Sequence, residues 1–436
     1  MSHPNLEREL TPHELGFLDL STTTRQQIVS GTLFFDSTID IEAIRHRMQD
    51  YLQHHPQFRC RISCNEMPKW IYCDPFNLDF HIKEMVTSSS SRDDILSLAA
   101  STAAGGLSAE LPQWRMILVH FTPEKQAEQS ALIIIAHHSL LDGLQGLELV
   151  NELTKSGNRI RERPAKKLGV NPPFKKATLG TRFACYTRLI RETFRRRAGK
   201  SPRSKKLQTS NRRTVSLTWG REIINQIKAK LDCSLQEVVL GVLGDALSQF
   251  SFDQNQRGEV KVILPVGNSE PQAHSFITNR HDVGLLKLGT RTPLSWSRKL
   301  TLSSIRSQIN RIRKEQRLGV FPTILSLVSK LPSSVRQYCF HKYASKGDLL
   351  ISLIPSGRKR RHLDQSELTA IYAQPAIPPG HALAIGIVIY ADQIAISLQY
   401  DPNLITEIDH LARRIKESIG RWIGDLTKTD GVAANY

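Results

Sequence analysis

Ala131-Leu-Ile-Ile-Ile-Ala136 runs into His137-His138-Ser139-Leu140-Leu141-Asp142-Gly143. The apolar run has no alternation, which is the pattern of a strand buried on both faces. After it, Leu144, Leu147, Val150 and Leu153 recur at helical spacing. The histidine pair therefore marks the end of a core strand and the approach to a helix, where a side chain is held rigidly yet can face a cleft. Histidine is the side chain whose proton affinity lies nearest neutral pH, which suits it to general base work. Two histidines at a strand end can also be hydrogen-bonded structural residues. The aspartate four residues after His138, followed by Gly143, favours a built site: the carboxylate can brace the turn, and glycine permits a close backbone approach. A metal site is the third reading, since His and Asp are ligand types. Adjacent residues at a strand end point to opposite faces, and no further ligand cluster is in sight, so no metal is assigned.

The chain has 436 residues, 40% of them hydrophobic, enough for two lobes with full cores. No window has the length of apolar sequence that a membrane span needs. The N-terminus shows no signal-peptide hydrophobic region, and the six cysteines are scattered, so free thiols in a reducing cytoplasm are expected. The net charge is +18, and it is concentrated. Residues 151–215 hold 20 Lys and Arg against 3 Asp and Glu, net +17, leaving net +1 for the rest. With Pro164, Pro172-Pro173 and Pro202 in it, this segment reads as a linker between lobes. Inside it, Phe183, Tyr186, Leu189-Ile190 and Phe194 alternate with Arg182, Arg188, Arg191 and Arg195-Arg196-Arg197. That is a basic amphipathic helix, fitted to an anionic membrane surface or packed on the body with a solvated basic face. Nucleic acid would suit the charge, but no recognition motif supports it.

Each side of the linker reads as α+β. Gly31–Phe35, Trp70–Tyr72 and Arg115–Phe121 are expected strands, and Asp40 is expected to cap a helix over Ile41 to Leu52. Beyond the linker, Leu235 to Leu247 reads as a buried helix and Val260–Pro265 as a strand. Ala382 to Leu398 reads as a hairpin turning at Asp392-Gln393, and Ile405 to Trp422 as a closing helix.

Several further stretches fall in a familiar order. They are Leu10-Thr-Pro-His-Glu-Leu-Gly-Phe-Leu18, His55-Pro-Gln-Phe-Arg59, Pro68-Lys-Trp70, Phe76–His81, Pro112-Gln-Trp114, Pro265-Val266, Asn279-Arg280 and Pro378-Pro379-Gly380. With HHxxxDG, the chain resembles the bacterial wax ester synthase/diacylglycerol acyltransferase family. That family is part of the CoA-dependent acyltransferase superfamily that includes condensation domains and chloramphenicol acetyltransferase. The sequence departs from it in the second half. Gln236-Glu237 stands for the family's Asn-Asp, Gly267-Asn-Ser269 lacks its arginine, and Leu353 replaces the asparagine after Ser352.

The resemblance implies two chloramphenicol-acetyltransferase-like lobes meeting along an active-site tunnel. Residues 1–155 would be the lobe carrying HHxxxDG, 156–213 the basic linker and 214–436 the C-terminal lobe. It implies direct transfer of a fatty acyl group from acyl-CoA, as co-substrate, to an alcohol or diacylglycerol-type acceptor, with no bound cofactor. His138 would be the general base. His137 and Asp142 would be structural, Asp142 through an arginine, and Gly143 would leave room for the acyl chain. Asn279, Gln236 and Ser352 are the second-lobe candidates for substrate contact, the first two as oxyanion donors. Arg188, Arg191, Arg195, Arg196 and Arg197 are the candidates for contact with a membrane or lipid droplet, at the cytoplasmic face. An acidic acyl carrier protein would suit the same surface, as donor to a condensation-type enzyme. A non-catalytic lipid- or partner-binding relative is the third class.

Overall fold

The computed structural model describes residues 7–22, 26–63, 67–89, 91–122, 128–154, 179–194, 211–250, 259–267, 281–289 and 298–432. Strand β1 (Glu7–Glu9) leads into helix α1 (Pro12–Leu20). The helix starts at Thr11, whose hydroxyl accepts from the Glu14 N–H while the Glu14 carboxylate accepts from the Thr11 N–H. Strand β2 (Ile28–Phe35) precedes helix α2 (Ile41–His54), which Asp40 caps as expected and which buries Ile44, Met48, Tyr51 and Leu52. Then come β3 (Cys60–Ile62), β4 (Lys69–Tyr72), β5 (Ile82–Thr87), α3 (Arg92–Ala104), β6 (Trp114–Phe121), β7 (Ser130–His137) and α4 (Gly143–Leu153). All eight residues of β7 are buried, the reason its sequence shows no alternation.

The second half begins with α5 (Leu179–Phe194), β8 (Arg213–Gly220), α6 (Arg221–Leu231), α7 (Leu235–Gln249), β9 (Val260–Gly267) and β10 (His281–Leu288). Three helices follow, α8 (Arg298–Arg317), α9 (Val320–Val328) and α10 (Ser333–Ala344). The chain ends with β11 (Leu349–Gly357), β12 (His362–Leu363), β13 (Ser366–Gln374), β14 (Leu383–Tyr390), β15 (Gln393–Tyr400) and α11 (Ile408–Val432). The hairpin turns on Ala391 and Asp392, one residue earlier than its sequence suggested, because Tyr390 pairs with Gln393.

Two six-stranded sheets organise the fold. The first runs β12-β13-β2-β7-β6-β5, the second β10-β9-β11-β14-β15-β8, and β1-β4-β3 form a small third sheet. Helices α6, α7, α8 and α11 cover one face of the second sheet and share its core with Leu349, Ile351, Leu383, Ile385 and Ile387. The first sheet has a core on each face, one with α2 and α4 and one with α3.

The second half of the chain does not stay in its own lobe. Strands β12 and β13 cross over and extend the first sheet, β13 pairing with β2 from Leu368↔Phe35 to Gln374↔Ser30. A boundary at 214 thus divides the sequence but not the two sheets. The crossing is bought with close contact: a Cβ added at Gly386 of β14 would lie 1.8 Å from the Ala373 carbonyl oxygen. The Ser397 hydroxyl donates to that same oxygen. Further bonds stitch the lobes along this edge. Gln374 Nε2 donates to Thr214 Oγ1 at 2.8 Å, the Ser216 N–H donates to Asp93 Oδ1 at 2.7 Å, and the Thr218 and Tyr372 hydroxyls lie 2.7 Å apart.

Candidate active site

The HHxxxDG turn is fixed by backbone bonds before any side chain is considered. The His137 N–H donates to Gln113 O, and the His138 N–H to Gln27 O at 2.7 Å. The Leu140 and Leu141 N–H groups both donate to His137 O, closing the turn. The two histidines then diverge, as strand geometry requires.

His137 is 2% exposed. Its Nδ1 accepts from the Ser139 N–H at 3.2 Å, so the ring proton sits on Nε2, which donates to Ser21 Oγ at 3.0 Å. The Ser21 hydroxyl in turn donates to Phe17 O and accepts from the Gln27 N–H. Burial pushes the His137 pKa down to about 4, so the ring is neutral near pH 7. Every ring nitrogen is committed to structure. His138 is only half-buried, and its ring stacks on Phe17 with centroids 3.8 Å apart and planes 7° from parallel.

Asp142 is 2% exposed and is the N-cap of α4. Its Oδ1 accepts from the Leu144 and Gln145 N–H groups, both at 2.9 Å, while Gln145 Oε1 accepts from the Asp142 N–H at 2.7 Å. The carboxylate thus braces the turn through backbone donors and sets the start of the helix. Gly143 does not leave space for an acyl chain as its sequence setting suggested. A Cβ there would come within 2.9 Å of Ile354 Cδ1, so the glycine admits a second-lobe side chain.

That contact brings β11 up to the motif. Leu349 and Ile351 point into the second-lobe core, whereas Ile354 packs on the first-lobe core. Ser352, two residues before Ile354, lies on the same face of β11 and is half-buried. Gln236 has a different employment. Its Oε1 accepts from Arg313 of α8 at 3.2 Å, in the helix layer that covers the other face of the second sheet. Asn279, Arg195, Arg196 and Arg197 lie outside the described residues. Arg188 is not a free surface cation: it pairs with Glu315 of α8 and with Glu192. Arg191 is exposed.

Sequence reasoning missed how much of the site α1 supplies. Glu14 is 1% exposed, and its carboxyl oxygens accept from two nitrogens of Arg8 (3.1 and 2.8 Å), from Trp70 Nε1 (3.2 Å) and from the Thr11 N–H (2.7 Å). The Glu14 carbonyl accepts from the Ser139 hydroxyl at 2.7 Å, tying α1 to the histidine turn. On its other side Asp19 forms a buried ion pair with Arg336 of α10. The signal was present as the Thr11-x-x-Glu14 capping box, a pattern that marks a helix start but does not announce a site. Among the described residues no group of three or more His, Cys, Asp and Glu is placed to hold a metal ion.

Comparison with known proteins gives the family. Residues 6–218 match the wax ester synthase/diacylglycerol acyltransferase catalytic domain, and residues 282–421 match the WS/DGAT C-terminal domain. The chain belongs to the wax ester synthase/diacylglycerol acyltransferase family. It is an acyl-transferring enzyme. It is 20% identical over 401 residues to the O-acyltransferase WSD of Acinetobacter baylyi, covering 83% of this chain and 85% of that protein. Among solved structures it resembles the wax ester synthase/diacylglycerol acyltransferase of Marinobacter aquaeolei VT8 (TM-score 0.65, 18% identity, 95% and 98% of the two chains). It also resembles the TRI3 trichothecene 15-O-acetyltransferase of Fusarium sporotrichioides (TM-score 0.67, 12% identity, 96% and 94%). The two-lobed α+β architecture is common to them.

Proposed function

We propose that this enzyme transfers an acyl group from acyl-CoA to the hydroxyl of a long-chain alcohol or diacylglycerol-type acceptor, with His138 as general base. The observation that carries this reading is the division of labour between the histidines. His137 has both ring nitrogens engaged in the turn, whereas His138 is half-buried on the side of α1. The His138 ring takes the hydroxyl proton as the acceptor oxygen attacks the thioester carbonyl carbon. The tetrahedral intermediate then expels the CoA sulfur, which receives that proton, and the ester is released. No covalent acyl-enzyme is required. The oxyanion needs a donor from the second lobe. Ser352 is our assignment among the described residues, Gln236 is withdrawn because Arg313 holds it, and Asn279 stays a candidate from sequence.

The acyl donor decides between two readings. Release of CoA thiol from purified protein, acyl-CoA and a panel of alcohols supports ours. Transfer only from an acyl group loaded on an acidic carrier protein would replace it with a condensation-type enzyme. The net +17 of residues 151–215 supports contact with an anionic surface, at which a lipid acceptor would be met. Among the described residues no helix is long and apolar enough to cross a membrane.

A further inference from the structure

Helix α9 ends at Val328 and α10 begins at Ser333, and the junction between them carries exposed apolar residues. Leu327, Leu331, Val335 and Tyr338 lie in or beside it with exposures of 62%, 39%, 45% and 56%, and Pro332 within it is exposed too. Large apolar side chains clustered in water are costly, and they mark an interaction surface. The charges within the segment itself have one sign. From Gln316 to Gly347 the chain has no Asp or Glu, while Lys330 is exposed in the junction and Lys342 stacks on Tyr338 at 6.0 Å. The neighbouring helix α5, which packs on α9 and α10, adds exposed Phe183, Ile190 and Phe194 with Arg191 between them.

We propose that the α9–α10 junction is an interfacial anchor that inserts Leu327, Leu331, Val335 and Tyr338 into an anionic lipid surface. Two features favour lipid over a protein groove. The segment combines exposed apolar and aromatic residues with flanking lysines and has no Asp or Glu of its own, the composition of elements that seat at the headgroup boundary. Its mounting is also rigid. Arg336 of α10 pairs with Asp19, Phe340 closes on Gly16 so that a Cβ there would lie 3.1 Å from its ring, and His13 meets Phe321 of α9 with ring centroids 6.0 Å apart. All three partners are on α1, whose Phe17 stacks on His138. Helices α9 and α10, which carry the anchor, are thus mounted on the same helix that packs against the proposed base. An acceptor dissolved in the lipid would reach the turn from the surface on which the protein sits.

The test is co-sedimentation of the full chain with phosphatidylcholine vesicles, with and without phosphatidylglycerol, at low and high salt. The wild type should pellet with the anionic vesicles at low salt and be released as salt rises. Leu327→Ser/Leu331→Ser/Val335→Ser should lower partitioning at least tenfold with an unchanged melting temperature, since these side chains are already in water. Lys330→Gln and Lys342→Gln should each cost about fivefold on anionic vesicles. A wild type that ignores anionic vesicles overturns the proposal, as does a triple variant that still binds like wild type. Equal binding to neutral vesicles overturns its electrostatic part. Binding to an acidic carrier protein but not to vesicles, lost in the triple variant, would assign the surface to a protein partner instead. Vesicle binding is read without turnover, so its failure and a failure of acyl transfer are separate results.

Discussion

The turn after β7 and the strand that meets it, β11, touch at Gly143 and Ile354 but are built on opposite terms. In the turn, His137, Ser139 and Asp142 are held by backbone or hydroxyl partners: His137 by Ser21 and Ser139, Ser139 by Glu14 O, and Asp142 by the first turn of α4. On β11 the face of Ile354 carries a single hydroxyl, Ser352, beside the apolar bulk of Ile354 itself, while Leu353 packs on the second-lobe core. The first lobe thus fixes by hydrogen bonds the turn that carries the proposed base, and the second lobe contributes shape. A base must keep one orientation through the reaction, whereas a wall for an acyl chain needs only volume.

The largest effect we expect in the turn is a pH dependence. His137 has its pKa lowered from 6.5 to about 4 by burial. Its contribution to stability is therefore complete above about pH 6.5 and is lost as pH falls toward 4, where the unfolded chain takes up a proton that the folded chain refuses. The loss amounts to about 3 kcal/mol. Urea titrations at several pH values should show it, and His137→Asn should flatten this part of the profile. A profile unchanged by the substitution would mean that the ring is hydrated. Next in size is the lobe contact. Gly143→Ala should cost about 2 kcal/mol by overpacking against Ile354. The Gly143→Ala/Ile354→Ala pair should cost less than the two single changes summed, and simple additivity would separate the two residues.

Asp142→Ala should cost about 1 kcal/mol, the worth of a helix cap. A melting curve and a rate measured together test this, since lost activity with an unchanged melt would mean that the carboxylate acts on substrate. The smallest effect belongs to Phe17, whose stacking is worth about 0.5–1.5 kcal/mol. Phe17→Leu should lower turnover severalfold and displace the pH–rate profile, because the ring packs directly on His138. A change in KM alone would make Phe17 part of the substrate wall.

The turn was legible in the sequence because strand, histidines, aspartate and helix are contiguous. The apolar run 131–136 and the α4 periodicity appear where they were expected, whereas Asp142, expected as a brace paired with an arginine, is also the helix cap. The crossover was not legible. Nothing in Ser366–Gln374 says that its partner is β2, more than 300 residues away in the chain, and Gly386 reads as an ordinary strand glycine until Ala373 is placed over it. Gln236 was misjudged for the same reason. Its place in a motif was local information, while its partner Arg313 comes from a different helix. Arg188 read as a surface cation because helical periodicity cannot show that Glu315 lies across from it.

The most direct test of the account is the rate of CoA release by His138→Ala beside that of wild type, with the melting temperature of each. The account predicts a loss of about a hundredfold to ten-thousandfold in rate. It predicts little change in melting temperature, because the half-buried ring of His138 rests against Phe17 and the backbone bonds of the turn do not depend on it. Near-normal turnover in His138→Ala would contradict the account and would send the search for the base elsewhere in the cleft.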